Sequence, residues 1–69
     1  MNKLKRLRLL AGYTQTDIAK MFGVTNQAYS KKEAGHVPFK DSEKVMFMNL
    51  IAETSPDETI ESVFFEHLL

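Results

Sequence analysis

Residues 14–35 read TQTDIAKMFGVTNQAYSKKEAG. Thr14 is a residue type that caps a helix start, and Asp17, three positions on, stands where a reciprocal cap usually has Glu. Ile18, Ala19 and Phe22 recur at helical spacing and predict one buried face. Gly23 follows, where a helix ends in a left-handed residue at little steric cost. Val24 is an apolar plug in the turn, Thr25 caps a second helix, and Gly35 ends that helix as Gly23 ends the first. Two short helices joined so tightly must cross steeply and share one small core.

The residue types suit that geometry. Ala19 falls where the two helices approach most closely, and Tyr29 is an inward position of the second helix. Asn26, Gln27, Ser30 and Lys31 fall on the opposite side, with Gln27 and Lys31 four residues apart on one face. Such a face is free to enter a DNA major groove. Asn and Gln pair with both hydrogen-bonding groups of adenine, and Lys reaches guanine acceptors or a phosphate. A merely solvated polar face is the plainer reading of the same residues. Its position after a glycine turn, at the right offset, favours the reading of DNA.

Gln15, Ala19, Gly23-Val24-Thr25, Tyr29, Glu33 and Gly35 resemble the pattern of the lambda-repressor/Cro-like helix-turn-helix regulators of phages and bacteria. The resemblance covers about the first fifty residues. The YSKKE run (29–33), the segment from Phe39 to Glu43 and the closing TIESVFF (59–65) look like a small-regulator branch from phages of Gram-positive bacteria. The resemblance implies an all-α, compact four- to five-helix lambda-repressor-like domain, with the motif at its second and third helices. It also implies phosphate or base-edge contacts from Gln15, Thr25, Asn26, Gln27 and Lys31, in a regulator of a lysis/lysogeny-like switch. Lys32 departs from the pattern, standing where most relatives place a core residue. Its stem is expected to lie across the core edge with the ammonium in water.

Sixty-nine residues allow one domain with a small core, near the lower limit for folding alone. We expect residues 1–52 to form the bundle and residues 53–69 an acidic, apolar tail. No apolar stretch approaches membrane-spanning length, and no long apolar segment follows the basic N-terminus as a signal peptide requires. The absence of cysteine suits a reducing compartment. A soluble, cytoplasmic protein without a membrane partner is the expectation, in a bacterial host cell if the resemblance holds.

The formal net charge is zero, but its distribution is polar. Residues 1–44 hold all nine Lys and Arg with four carboxylates, for +5, whereas residues 45–69 hold five carboxylates and no Lys or Arg, for −5. A basic front suits double-stranded DNA, and an acidic back suits a separate protein contact.

Leu4, Leu7 and Leu10 recur every third residue and predict a first helix over about 2–11, ended by Gly12. Its basic residues, Lys3, Lys5, Arg6 and Arg8, either approach the DNA backbone or form a solvated face. Pro38 disfavours helix at Val37, so residues 36–38 form a turn, after which Lys40 is placed to contact a phosphate. A fourth helix is expected over about 41–52, with more apolar residues than one stripe can absorb. Val45, Met48, Ala52 and Ile51 make one inward stripe, Phe47 and Leu50 a competing or adjoining one, and Met46 falls outside both. Ser55-Pro56-Asp57-Glu58 reads as a turn or a capped helix start. Ile60, Val63, Phe64, Phe65, Leu68 and Leu69 then pack on the domain or across a two-fold axis. Met46, Met48, Phe64 and Phe65 are the candidates for a protein-partner or dimer surface.

Catalysis fails on inventory. His36 and His67 lie in a loop and in the tail, with no spacing that makes a metal site, and no serine stands in a nucleophile motif. The glycines punctuate helices and build no phosphate-cradling loop. We therefore expect no cofactor and two competing roles. One is a transcription regulator, with Asn26, Gln27, Ser30 and Lys31 on base edges and Gln15, Thr25 and Lys40 on the DNA backbone, acting as a homodimer. The other is an antirepressor of the same fold that acts mainly on a partner repressor protein.

Overall fold

The helix starts of this chain are written in side chains. Asn2 accepts from the Lys5 N–H at 2.8 Å, Thr14 from Asp17 at 3.0 Å and Thr25 from Ala28 at 3.0 Å, each satisfying a donor that a helix start leaves open. The computed structural model, which describes residues 2–65, accordingly has α1 over Lys3–Ala11, α2 over Gln15–Phe22 and α3 over Asn26–Glu33. α4 over Asp41–Ile51 and one π-helical turn over Glu61–Phe65 complete it, with no strand among the described residues. Gly23 takes φ +71°, and the chain reverses so tightly there that the Val24 N–H reaches back to the Ala19 carbonyl at 3.0 Å. A side chain at that position would be strained in this left-handed conformation. The all-α class and the glycine-turned helix pair are as the sequence predicted.

α2 packs on α3 and α1 on α4, around Leu7, Ile18, Ala19, Tyr29, Phe39, Phe47 and Ile51. Phe39, in the loop before α4, is the hub. Its ring meets Phe22 at 5.8 Å, Tyr29 at 6.2 Å, Phe47 at 5.8 Å and Phe64 at 4.9 Å, mostly edge to face. That is the geometry aromatic quadrupoles favour. One loop residue thus joins α2, α3, α4 and the tail.

Two predicted stripes are corrected. In α1 the inward set is Leu4, Leu7, Arg8 and Ala11, whereas Leu10 is 60% exposed. A step of three residues falls short of a full turn, so Leu10 sits roughly 120° from Leu4 around the axis. In α4 the inward set is Glu43, Phe47 and Ile51, with Leu50 packed beside it. Of the expected stripe of Val45, Met48, Ala52 and Ile51, Ile51 is buried and Met48 half-buried against the core, whereas Val45 is 54% exposed and Ala52 is exposed. Of the competing pair, Phe47 is fully buried and Leu50 half-buried. Glu43, anchored to α3, sets the rotation of this helix, and hydrophobicity alone could not reveal that.

Ser55–Glu58 forms the expected turn, with the Glu58 N–H donating to the Ser55 carbonyl at 3.2 Å. Thr59 and Ser62 then cap each other's backbone N–H reciprocally, at 2.9 and 3.1 Å. The tail packs its aromatics on the domain, Phe64 against Phe39 and Phe47 and Phe65 beneath the Lys44 ammonium at 4.4 Å. Lys3 clasps it from α1, with its ammonium 2.9 Å from Glu58 and donating to the Ser62 carbonyl at 3.0 Å. His67, Leu68 and Leu69 lie outside the described residues.

Replacing Phe39 with Ala should cost about 3–5 kcal/mol, enough to leave so small a domain largely unfolded. Leu10→Ala should stay within about 0.5 kcal/mol of wild type. Urea unfolding of both variants checks the hub and the corrected stripe together.

Candidate nucleic-acid interface

The start of α2 is held by a complete reciprocal cap. The Thr14 N–H donates to the Asp17 carboxylate at 2.9 Å, and the Asp17 N–H donates to the Thr14 hydroxyl at 3.0 Å. The bond from the Thr14 backbone, then that from its side chain, keeps the Asp17 carboxyl below its ordinary range. Asp17 therefore serves as the cap's acid, as the sequence suggested. Thr25 caps α3 through its acceptor lone pair, which leaves its hydroxyl proton for another acceptor.

Asn26, Gln27, Ser30 and Lys31 are all exposed on α3. Gln27, Ser30 and Lys31 span the face away from Tyr29, and Asn26 stands at its edge beside α2. There its amide Nδ2 donates to the Thr16 hydroxyl at 3.0 Å. Gln15 is half-buried, and its amide donates inward to Glu33 at 3.2 Å. Lys40 is exposed, just before α4, and its N–H donates to the Glu43 carboxylate at 2.9 Å. Of the residues assigned to a protein contact, Met46, Met48, Phe64 and Phe65 are half-buried. Met48 and Phe64 pack against the core.

The back of α3 is seated by two buried ion pairs. The Arg8 guanidinium grips Glu33 through Nε at 2.8 Å and Nη2 at 3.1 Å, and donates through Nη1 to the Tyr13 carbonyl at 2.9 Å. Asn2 adds a bond to the Glu33 carbonyl at 2.9 Å, so this one residue ties α1, α2 and α3 together. Next to it, the Lys32 ammonium donates to Glu43 at 2.7 Å and joins α3 to α4. Side-chain exposure is 6% and 3% in the first pair and 8% and 3% in the second.

Both pairs correct the sequence reading. Lys32 does not hold its ammonium in water, and Arg8 is neither a solvated residue nor a DNA contact. Lys3 is tied to the tail. Lys5, Arg6, Lys20, Lys31 and Lys40 are exposed and stand outside the ion pairs described. Thr16 was missed altogether, because nothing in residue spacing marks a hydroxyl that meets a side chain ten positions later.

Burial alone would raise the Glu33 and Glu43 carboxyls. Hydrogen bonds outweigh it, chiefly from Arg8, with Gln15, to Glu33 and from Lys32 and the Lys40 backbone to Glu43, and hold both below their ordinary value of 4.5. The Tyr29 hydroxyl is fully buried beside Glu33 without a hydrogen bond of regular geometry. Burial first, and then the neighbouring carboxylate, push its ionisation upward.

A capped helix, a glycine turn and a second capped helix with an open polar face define a helix-turn-helix module. A family model described as helix-turn-helix matches residues 4–40, more than half of the chain, and the protein belongs to that lambda-repressor/Cro-like family of DNA-binding regulators. The matched span holds α1, α2, α3 and Phe39, but neither α4 nor the tail. Comparison with curated proteins and with solved structures returns no match. Among the described residues, no helix is long and apolar enough to cross a membrane.

The depressed carboxyls give acid lability a definite sign. The unfolded chain binds more protons than the folded one once pH falls below about 4.5, so stability present above that value should be lost progressively beneath it. Arg8→Met, which strands Glu33 as a buried unpaired charge, should cost about 3–5 kcal/mol at neutral pH. It should also make the acid loss shallower, because Glu33 then ionises less readily. Thermal unfolding of both proteins between pH 7 and pH 2 measures the two effects.

Proposed function

We propose that this chain is a phage-type transcription regulator that binds operator DNA through α3 as a homodimer and controls a lysis/lysogeny-like switch. The observation that carries the reading is the asymmetry of α3. Lys32 and Glu33 fix its back in buried ion pairs, while Asn26, Gln27, Ser30 and Lys31 stand exposed on its front. A rigid polar face of this kind meets base edges without first having to be ordered. Asn26, Gln27, Ser30 and Lys31 read bases. Thr25 offers its hydroxyl proton, Lys40 its ammonium, and Gln15 the backbone N–H of the first turn of α2 to phosphates. Two copies place their α3 helices in successive major grooves about one helical turn apart. Lys5, Arg6 and Lys20 add to the positive field that draws DNA in, and the acidic tail weakens binding to arbitrary sequence.

A second reading, an antirepressor that binds a partner repressor protein, is favoured by exposed apolar residues on the two helices that pack together. These are Leu9 and Leu10 on α1 and Val45 on α4, each more than half exposed. The half-buried Met46 and Met48 share α4 with Val45.

Fluorescence anisotropy on duplexes tiled across the upstream region of the protein's own gene separates the two. Tight binding to one tile, lost steeply between about 50 and 200 mM salt, is the result expected of an operator-reading regulator. Weak binding to every tile overturns it in favour of the partner reading. On the preferred tile, Gln27→Ala should cost about 1–3 kcal/mol and relax sequence preference at one position. A uniform loss across sequences would move Gln27 to the backbone contacts.

A further inference from the structure

Glu43 is the third residue of α4, and it closes the start of that helix by accepting the Lys40 N–H at 2.9 Å. A lysine and a glutamate three positions apart ordinarily pair on a surface, and the field of the Lys40 ammonium does reach Glu43. The same carboxylate oxygen is taken from the other side, however, by the Lys32 ammonium of α3 at 2.7 Å. That pair is buried, at 8% and 3% exposure, whereas Lys40 stays exposed. Lys44 and Asp41, at the same spacing but with Asp41 fully exposed, do draw together, to 3.6 Å. Tying α3 to α4 does not call for charge, since an apolar pair of similar volume is often at least as stable. An ion pair at this place has a different consequence, for the cation next to it.

We propose that Lys32 is a positioning residue for the DNA backbone contact: it holds the Glu43 carboxylate inward, so that the Lys40 ammonium stays available to a phosphate. The proposal rests on the DNA-reading role and the Lys40 contact given above. Without the Lys32 ammonium, Glu43 would be a lone buried charge, which a protein interior does not tolerate. Turning outward is its escape, and there it meets the Lys40 ammonium, whose flexible four-carbon stem lets it swing to the acid. An outward carboxylate at the start of α4 would also repel the incoming phosphate. Lys32 prevents both from within the core, touching no DNA itself. The cation that departs from the family pattern thus keeps a second cation in its working position.

The slope of log binding constant against log salt concentration, on the preferred tile, counts phosphate contacts and tests this with the full chain. Lys40→Gln should make the slope shallower by about one per bound chain. Lys32→Met should do the same with Lys40 still present, and adding Lys40→Gln to it should change nothing further. Combining Lys32→Met with Glu43→Gln should return the slope to wild type, because the glutamine carries no charge to capture Lys40 and still accepts its N–H. Base preference, read by selection from a randomised duplex pool, should stay sharp throughout. Where Lys32→Met does not fold, Lys32→Gln, whose amide still donates to Glu43, makes the same comparison. A wild-type slope in Lys32→Met or Lys32→Gln overturns the positioning role. So does a Lys32→Met, Glu43→Gln chain that stays shallow, since the pair would then be only a structural tie. Equal losses from Lys40→Gln in wild type and in Lys32→Met overturn it too, leaving Lys32 to act through overall charge alone. A Lys40→Gln slope equal to wild type removes Lys40 from the backbone contacts and overturns this inference, with the DNA-reading role still standing. A wild-type chain that prefers no tile overturns the DNA-reading role itself, and this inference with it.

Discussion

The grip of Arg8 on Glu33 is the interaction on which the rest of the arrangement depends. A carboxylate 3% exposed at the end of α3 is tolerable only because a guanidinium fork meets both its oxygens and an amide adds a third bond. Those partners come from α1 and α2. A helix of eight residues is too short to hold itself in water, so the position of α3 is decided by what it is tied to. Hydrophobic contacts hold it down without strongly preferring one rotation, whereas a bidentate ion pair specifies the rotation. On the adjoining residue a single bond, from the Lys32 ammonium to Glu43, ties α4 to α3.

This division of labour explains what was legible in the sequence. Caps and glycines act locally, and Thr14, Asp17, Gly23, Thr25 and Gly35 announced the helix pair because each carries its effect within four residues. Ala19 and Tyr29 were legible as inward positions for the same reason. Arg8, Lys32 and Glu43 were not, since a charged side chain is ordinarily a surface residue. Only its partner, here 25 or 11 residues away, reveals that it is buried. The α4 stripe failed as a consequence: with apolar residues nearly all round the helix, the deciding residue was the acid. Phe39 was legible as part of a resemblance but not as a hub, because a loop residue has no periodicity to read.

The outward face of α3 was read correctly as a set of exposed residues, and for a physical reason: its back could be assigned from Tyr29 and its spacing. How those residues are prepared was not readable. Gln15 turns inward to Glu33 and the Thr16 hydroxyl meets the Asn26 amide, contacts that residue type does not announce. Which hydroxyl or amide faces a groove is settled by side-chain bonds between helices. These are invisible to any pattern along one helix.

The matched family span ends at Lys40, yet the ring that closes the core, Phe39, depends on Phe47 and Phe64 beyond it. The module that carries the reading face is therefore not a separable unit of stability. Whatever binds that face draws on the whole folded chain and, by mass action, stabilises all of it. In a domain with so small a core, occupancy and lifetime are then linked. If α3 engages DNA as proposed, a bound molecule would spend less time open to proteases than a free one, and the amount of protein in the cell would respond to the supply of its own binding sites.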